Sequence, residues 1–156
     1  MDLSTYARII DHIPAGPVFR FFYKLPYKIR DIKWRWQRSK QGWCEADWWN
    51  MDSYLLKIIN NMLYELRTKG HGYPVKYDSP EEWYLVLDEL IYRSYILGKM
   101  DEGEKGFKMP PKSKAIVNLI KLDKEKAKTM KPLDYQKAQQ EAFFKLFVAH
   151  FNNFWD

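Results

Sequence analysis

The sequence predicts an all-α protein, a single compact domain of five or six helices. Apolar residues recur every three or four positions through most of the chain, which is the period of a helix with one buried face. No segment alternates apolar and polar residues as a half-buried strand would, and no internal repeat appears. The 156 residues are enough to bury one core, so we expect residues 1–156 to form one domain.

The first helices are separated by prolines. Ser4 is placed to cap a short helix that ends at residues 14–17, where two prolines stand. Residues 18–25 are aromatic and show no clear period. Pro26 suits the first turn of a helix that runs to about Lys40.

This second helix has two different faces. One is apolar and is expected to point toward the core; it holds Ile29, Ile32 and Trp36. The other places an indole one turn away from an arginine on each side, at Arg30, Trp34 and Arg38. An exposed indole between two guanidinium groups could stack a base or hold an anion, so these three residues are a candidate basic aromatic surface.

Residues 45–69 keep a helical period for more than five turns, and Gly70 follows as a stop. The predicted inner face of this helix consists of Trp48, Met51, Leu55, Ile58, Met62 and Leu66.

The next helix has the strongest local signal in the chain, a capping box formed by Ser79, Pro80 and Glu82. The helix should end near Gly98, with an inner face that holds Trp83, Val86, Leu87, Leu90, Ile91 and Ser94. Residues 99–112 carry charge, two glycines and a double proline without a period, which predicts a mobile loop.

Two helices complete the prediction. Ser113 caps one that reaches Lys131, with its lysines in solvent. After Pro132 a last helix starts at Asp134; its end is apolar on more than one side, which predicts burial.

The net charge of +6 sits in the first quarter of the chain. Residues 1–40 hold nine Lys or Arg and three Asp, which leaves +6, while residues 41–100 hold six bases and nine acids and residues 101–156 hold eleven bases and eight acids. An anionic partner would therefore meet the basic amino-terminal part, 1–40.

Sequence motifs for the common enzyme chemistries are missing. There is no phosphate-binding, dinucleotide-binding, nucleophile-elbow or zinc-protease motif, and the three histidines are scattered. Cys44 is the only cysteine, so it forms no internal disulfide and no Cys/His zinc cluster. We therefore predict no catalytic residue, no cofactor and no metal, and expect that the protein is not an enzyme.

Two sets of residues allow a catalytic interpretation as well as a structural one. Asp47 and Asp52 lie about 140° apart around a helix, so they would not face one bond, and a structural role is favoured. An enzyme that uses either of them with His71 stays a third alternative. Cys44 at a helix start could have an activated thiol, but without a nearby histidine simple packing is favoured.

A second candidate site surrounds the glycine-rich turn at residues 70–74. Two glycines there permit close approach of a ligand to the backbone. The predicted pocket consists of Trp49, Asp52, Tyr54, His71 and Tyr73.

The sequence offers no targeting or spanning segment. Asp2 stands where a signal peptide would be basic, and the longest run without a charged residue is the ten residues 146–155, half of what a spanning helix needs. The prediction is an intracellular protein, without a membrane partner.

Four segments together resemble a family of small proteins encoded by tailed bacteriophages and prophages. They are Gly-Trp-Cys-Glu-Ala-Asp-Trp-Trp-Asn-Met-Asp-Ser-Tyr-Leu at 42–55, His-Gly-Tyr-Pro at 71–74, Glu-Trp at 82–83, and Phe-Asn-Asn-Phe-Trp-Asp at 151–156. The similarity covers about residues 26–95 and the last fifteen. Cys44 departs from the family pattern, which has a capping serine there, and residues 91–99 replace an acidic helix end.

The resemblance implies an origin and no established activity. Together with the missing motifs, it predicts a non-catalytic accessory protein in the host cytoplasm that blocks or sequesters a host factor, possibly a defence component. The partner would be a host protein or a small anionic ligand. Nucleic-acid binding through residues 20–43 is the first alternative and a structural part of the virion is the second. No oligomeric state is predicted.

Overall fold

A computed structural model describes residues 17–70, 72–101 and 106–154. These residues contain helices and no strand, which confirms the all-α prediction. The helices are α1 (Pro17–Gln41), α2 (Met51–Lys69), α3 (Pro80–Asp101), α4 (Lys114–Thr129) and α5 (Pro132–His150), with 3-10 turns at Glu45–Trp48 and Phe151–Asn153. The short helix predicted from Ser4 lies outside the described residues. None of the described helices is long and apolar enough to cross a membrane.

The chain divides after Asn50 into two units. The described part of the first unit holds α1 and the turn Glu45–Trp48, and the second unit holds α2 to α5.

In the first unit, α1 is longer than predicted. It begins at Pro17, where the missing N–H of proline costs nothing, and it continues through Pro26. A proline inside a helix removes one backbone hydrogen bond but does not always end the helix. The segment 18–25 thus belongs to α1.

The predicted faces of α1 are inverted. Ile29, Ile32 and Trp36 are 60%, 67% and 58% exposed, so the predicted core stripe is wrong. Tyr27 and Trp34 on the other face are half-buried. The spacing identified an apolar stripe correctly but carried no information about which side is covered.

In the second unit, α3 is the central helix and packs against α2, α4 and α5. Its predicted inner face is largely confirmed, because five of the six residues are buried and Val86 is half-buried. Those five residues are Trp83, Leu87, Leu90, Ile91 and Ser94. The start of α3 follows the capping prediction: the Ser79 hydroxyl accepts a hydrogen bond from the backbone N–H of Glu82 at 3.4 Å.

Helix α2 starts later than predicted and turns a different face inward. A 3-10 turn occupies Glu45–Trp48, and the α-helix begins at Met51. Of the predicted inner face only Leu66 packs against the core; the exposed members are Trp48, Met51, Leu55, Ile58 and Met62. The buried positions are Ser53, Asn60 and Leu63. Two of these are polar, which is why the apolar pattern pointed to the wrong side.

The segment 99–112 differs from a mobile loop at both ends. Helix α3 continues to Asp101, and Phe107 and Pro110 are buried. The fully buried Asn60 accepts a hydrogen bond from the Lys108 N–H at 2.6 Å and donates one to the Lys108 carbonyl at 3.1 Å. The later part of this segment is therefore fixed to the core.

The last two helices follow the prediction with shifted limits. The Ser113 hydroxyl caps α4 by accepting from the Ile116 N–H at 3.2 Å, and α5 begins at Pro132. The predicted burial of the end of α5 is only partial, since Phe144 is 55% and Val148 71% exposed. Phe144 forms part of the surface described next.

Candidate docking groove

The second unit has an open apolar groove between α2 and α5. Both helices pack on α3, and they line the same two cavities. The first cavity lies between residues 52–59 of α2 and residues 136–144 of α5. The second cavity lies between residues 59–66 of α2 and residues 147–154, which include the end of α5 and the 3-10 turn after it. The two helices therefore run in the same direction, and the groove extends for about 14 residues of α2, roughly 20 Å.

The first cavity, of about 230 Å³, lies at the amino-terminal end of the groove. Its walls combine the apolar side chains of Leu55, Ile59 and Phe143 with the polar side chains of Asp52 and Gln136. One Asp52 carboxylate oxygen accepts a hydrogen bond from the Ser53 N–H at 2.8 Å. This end therefore offers polar groups beside an apolar floor.

The described residues that line the second cavity, of about 340 Å³, are all apolar. They are Ile59, Met62, Leu63, Leu66, Phe147, Phe151 and Phe154. Ile59 also lines the first cavity, so the two cavities adjoin at this residue.

Aromatic rings build the α5 side of the groove. Phe147 lies 5.6 Å from Phe143, 5.5 Å from Phe151 and 5.4 Å from Phe154, measured between ring centroids. Phe154 in turn contacts the buried ring of Trp83 at 5.7 Å. Because each ring packs on the next, this wall is held rigidly against the core.

The rims of the groove are exposed apolar side chains. Met62 on α2 is 62% exposed and lines the second cavity, and Phe144 on α5 is 55% exposed and lines the first. A row of exposed large apolar residues beside an apolar cavity is typical of an interaction surface. The described residues that line the groove include no acid–base pair and no nucleophile beside a base.

A polar cluster fixes the carboxyl end of α5. The Tyr77 hydroxyl lies 2.5 Å from Nδ1 of His150, and the Lys76 ammonium lies 3.1 Å from the same atom. Burial and the positive charge of Lys76 lower the pKa of His150. A neutral imidazole in these contacts ties residues 76–77 to α5. Among the described residues no group of three His, Cys, Asp or Glu side chains could hold a metal ion.

The predicted pocket around the turn at 70–74 does not form as one site. Asp52 and Tyr54 lie near the start of α2, and Tyr73 follows its end, so about 25 Å of helix separates them. Trp49 is 88% exposed in the first unit, and His71 lies outside the described residues. Only Asp52 of this set lines the groove.

The predicted basic aromatic surface is only partly assembled. The Arg30 guanidinium lies 4.5 Å from the Trp34 ring and 5.2 Å from the Tyr27 ring. Arg38, in contrast, donates two hydrogen bonds to the carboxylate of Asp47, at 3.0 and 2.5 Å. The indole is thus covered by one arginine, while the other is engaged in an ion pair.

Asp47 has the structural role that the sequence favoured. Its buried carboxylate also accepts a hydrogen bond from the Cys44 N–H at 2.7 Å at the start of the 3-10 turn. Burial opposes the charged form, but the hydrogen bonds from Arg38 and Cys44 outweigh it and lower the pKa of Asp47. Asp47 therefore stays ionised and joins the turn to α1.

Sequence reasoning missed the groove residues on α5. The apolar character on more than one side of this helix was visible in Phe143, Phe144 and Phe147, and it was interpreted as burial. An open groove produces the same pattern, because its floor and rim are both apolar.

Comparison of the chain with protein-family models, with curated proteins and with solved structures finds no match.

Proposed function

We propose that this chain is a phage-encoded accessory protein that binds a host protein and thereby blocks or sequesters it, without catalysis. The groove between α2 and α5 is the docking site. The observation that carries this proposal is the apolar groove formed by two cavities between α2 and α5 that share Ile59.

The dimensions of the groove favour a helical segment of the target. A groove of about 20 Å matches roughly four turns of an amphipathic helix, which would place apolar side chains into the two cavities. Asp52, Gln136 and Gln140 at the first cavity supply hydrogen-bonding groups that would fix the direction of such a helix.

The nucleic-acid alternative has less support than the groove. Within residues 20–43, Lys33 forms an ion pair with Glu45 at 2.9 Å, and Arg38 pairs with Asp47. Each pair lowers the positive potential that would attract phosphates.

Capture of a host protein from a cell lysate tests the proposal. Met62→Glu and Phe144→Glu place a charge on either rim of the groove, and each should reduce retention of the target about tenfold or more. Leu122→Glu is the matched control, because Leu122 is an exposed leucine on α4 that does not line the groove. Equal capture by the wild type and both groove variants would exclude the groove as the docking site.

A further inference from the structure

We propose that the first unit binds the surface of an anionic lipid bilayer, with α1 lying in the plane of the interface. This activity is separate from the groove, which belongs to the second unit. Binding to a bilayer surface also differs from spanning the bilayer. The sequence predicts no membrane partner because it shows no spanning segment and no signal peptide. A helix that lies on the surface of a membrane needs neither of them.

An exposed apolar stripe runs along α1. Ile29, Ile32 and Trp36 follow one another at three and four residues, and each is more than half exposed. They lie within about 60° around the helix axis. Isolated exposed apolar residues are normal, but a continuous stripe over two turns of one helix requires a partner.

Basic residues flank this stripe on both sides. By helical geometry Lys28 and Arg35 lie beside one edge, and Lys40 lies beside the other together with Lys33, whose charge is partly offset by its ion pair with Glu45 at 2.9 Å. The Lys40 ammonium lies 4.2 Å from the Trp36 ring, at the border between charge and apolar surface. In sequence, α1 contains eight Lys or Arg and one Asp. An apolar stripe between two rows of cations is the arrangement of helices that lie at the boundary between acyl chains and anionic headgroups.

Further indoles are exposed in the same unit. Trp43 and Trp48 pack against each other with ring centroids 5.3 Å apart, and Trp48 and Trp49 are among the most exposed large side chains of the chain. Indoles prefer the interfacial layer of a bilayer, because one edge is polar and the rest of the ring is apolar.

The aliphatic part of the stripe favours a bilayer over nucleic acid. Phosphates would attract the cations and bases would stack on exposed indoles, but neither offers Ile29 and Ile32 an apolar environment. A bilayer surface satisfies both the apolar stripe and its basic edges.

Co-sedimentation of the full chain with lipid vesicles tests this proposal. Vesicles of equal parts phosphatidylglycerol and phosphatidylcholine should bind the protein and shift its tryptophan fluorescence to shorter wavelength, and pure phosphatidylcholine should bind it much more weakly. Ile32→Glu puts a carboxylate into the exposed stripe and should weaken binding to the anionic vesicles about tenfold or more. Leu122→Glu is the control with the same change in charge, at an exposed position of the second unit, and it should bind within about twofold of the wild type.

The outcomes separate the alternatives. Failure to bind anionic vesicles overturns the proposal, and so does equal weakening by Ile32→Glu and Leu122→Glu, which would indicate charge alone. Binding to duplex DNA is measured in parallel. If the protein binds DNA but not vesicles, and Ile32→Glu binds DNA as strongly as the wild type does, the basic face would be assigned to nucleic acid instead. Circular dichroism of Ile32→Glu checks that the helices are retained.

Discussion

Replacement of Asn60 by leucine should destabilise the protein by about 3–5 kcal/mol, because it removes the hydrogen bonds of a fully buried amide and leaves the N–H and the carbonyl of Lys108 without that partner. Asn60 is fully buried on α2 and connects three parts of the second unit. Its amide nitrogen lies 3.1 Å from the Ile91 carbonyl, 2.9 Å from the Ser94 hydroxyl and 3.1 Å from the Lys108 carbonyl, and its oxygen accepts from the Lys108 N–H. Leucine has a similar volume but can satisfy none of these groups.

Denaturant unfolding measures this effect. A loss of this size is a large part of the stability of a typical domain, so Asn60→Leu should also expose residues 106–112 to protease under conditions in which the wild type resists. Asn118→Leu on the exposed side of α4 is the matched control and should change stability by less than about 0.5 kcal/mol. A change below about 1 kcal/mol for Asn60→Leu would contradict the role of Asn60 as the hub of this core.

The second large effect is expected at Gly98. A methyl group on this residue would lie within 3.0 Å of the Phe107 ring, which is itself buried. The ring cannot move away freely, because the next residue, Lys108, is bonded to Asn60. We expect Gly98→Ala to cost about 2–3 kcal/mol, although alanine is the better helix former by roughly 1 kcal/mol.

A double-mutant cycle tests whether contact with the Phe107 ring causes the destabilisation by Gly98→Ala. In a Phe107→Ala background the ring is gone, so Gly98→Ala should become neutral or stabilising by up to about 1 kcal/mol. The sign of the Gly98→Ala effect therefore reverses with the residue at position 107. The same destabilisation in both backgrounds would show that contact with Phe107 is not its cause.

The sequence predicted the helices better than their faces. Capping residues such as Ser79 and Ser113 marked the starts of α3 and α4, because a cap acts locally. The inner face of α2 could not be found in the same way. Ser53 and Asn60 are buried there through hydrogen bonds to other parts of the fold, whereas Met51, Leu55 and Met62 keep a regular apolar period on the outside.

The candidate sites, like the helix faces, could be predicted from the sequence only in part. Among the described residues of the predicted pocket, Asp52 alone lines the groove, and of the predicted basic aromatic surface Arg30 and Trp34 contact each other. The pairing of Arg38 with Asp47 and the distance from Asp52 to Tyr73 depend on tertiary structure. Neither follows from composition or spacing, because residues close in a motif can lie at opposite ends of one helix.

The exposed apolar stripes on α1 and α2 can both be explained by burial against a partner. In both helices the period typical of a core face appears on side chains that are exposed in the described part of the chain. Burial against a partner would stabilise such residues by up to about 1.5–3 kcal/mol for each side chain that is fully covered. This gain is the reason that we propose a binding function.

The native mass of the chain purified from phage-infected cells tests the central claim most directly. The account predicts a complex whose mass exceeds that of the chain by one host polypeptide, with no added nucleotide absorbance, and it predicts that Phe144→Glu and Met62→Glu yield the chain without that polypeptide. A chain that purifies without any other polypeptide, or one that carries nucleic acid in its place, would contradict it.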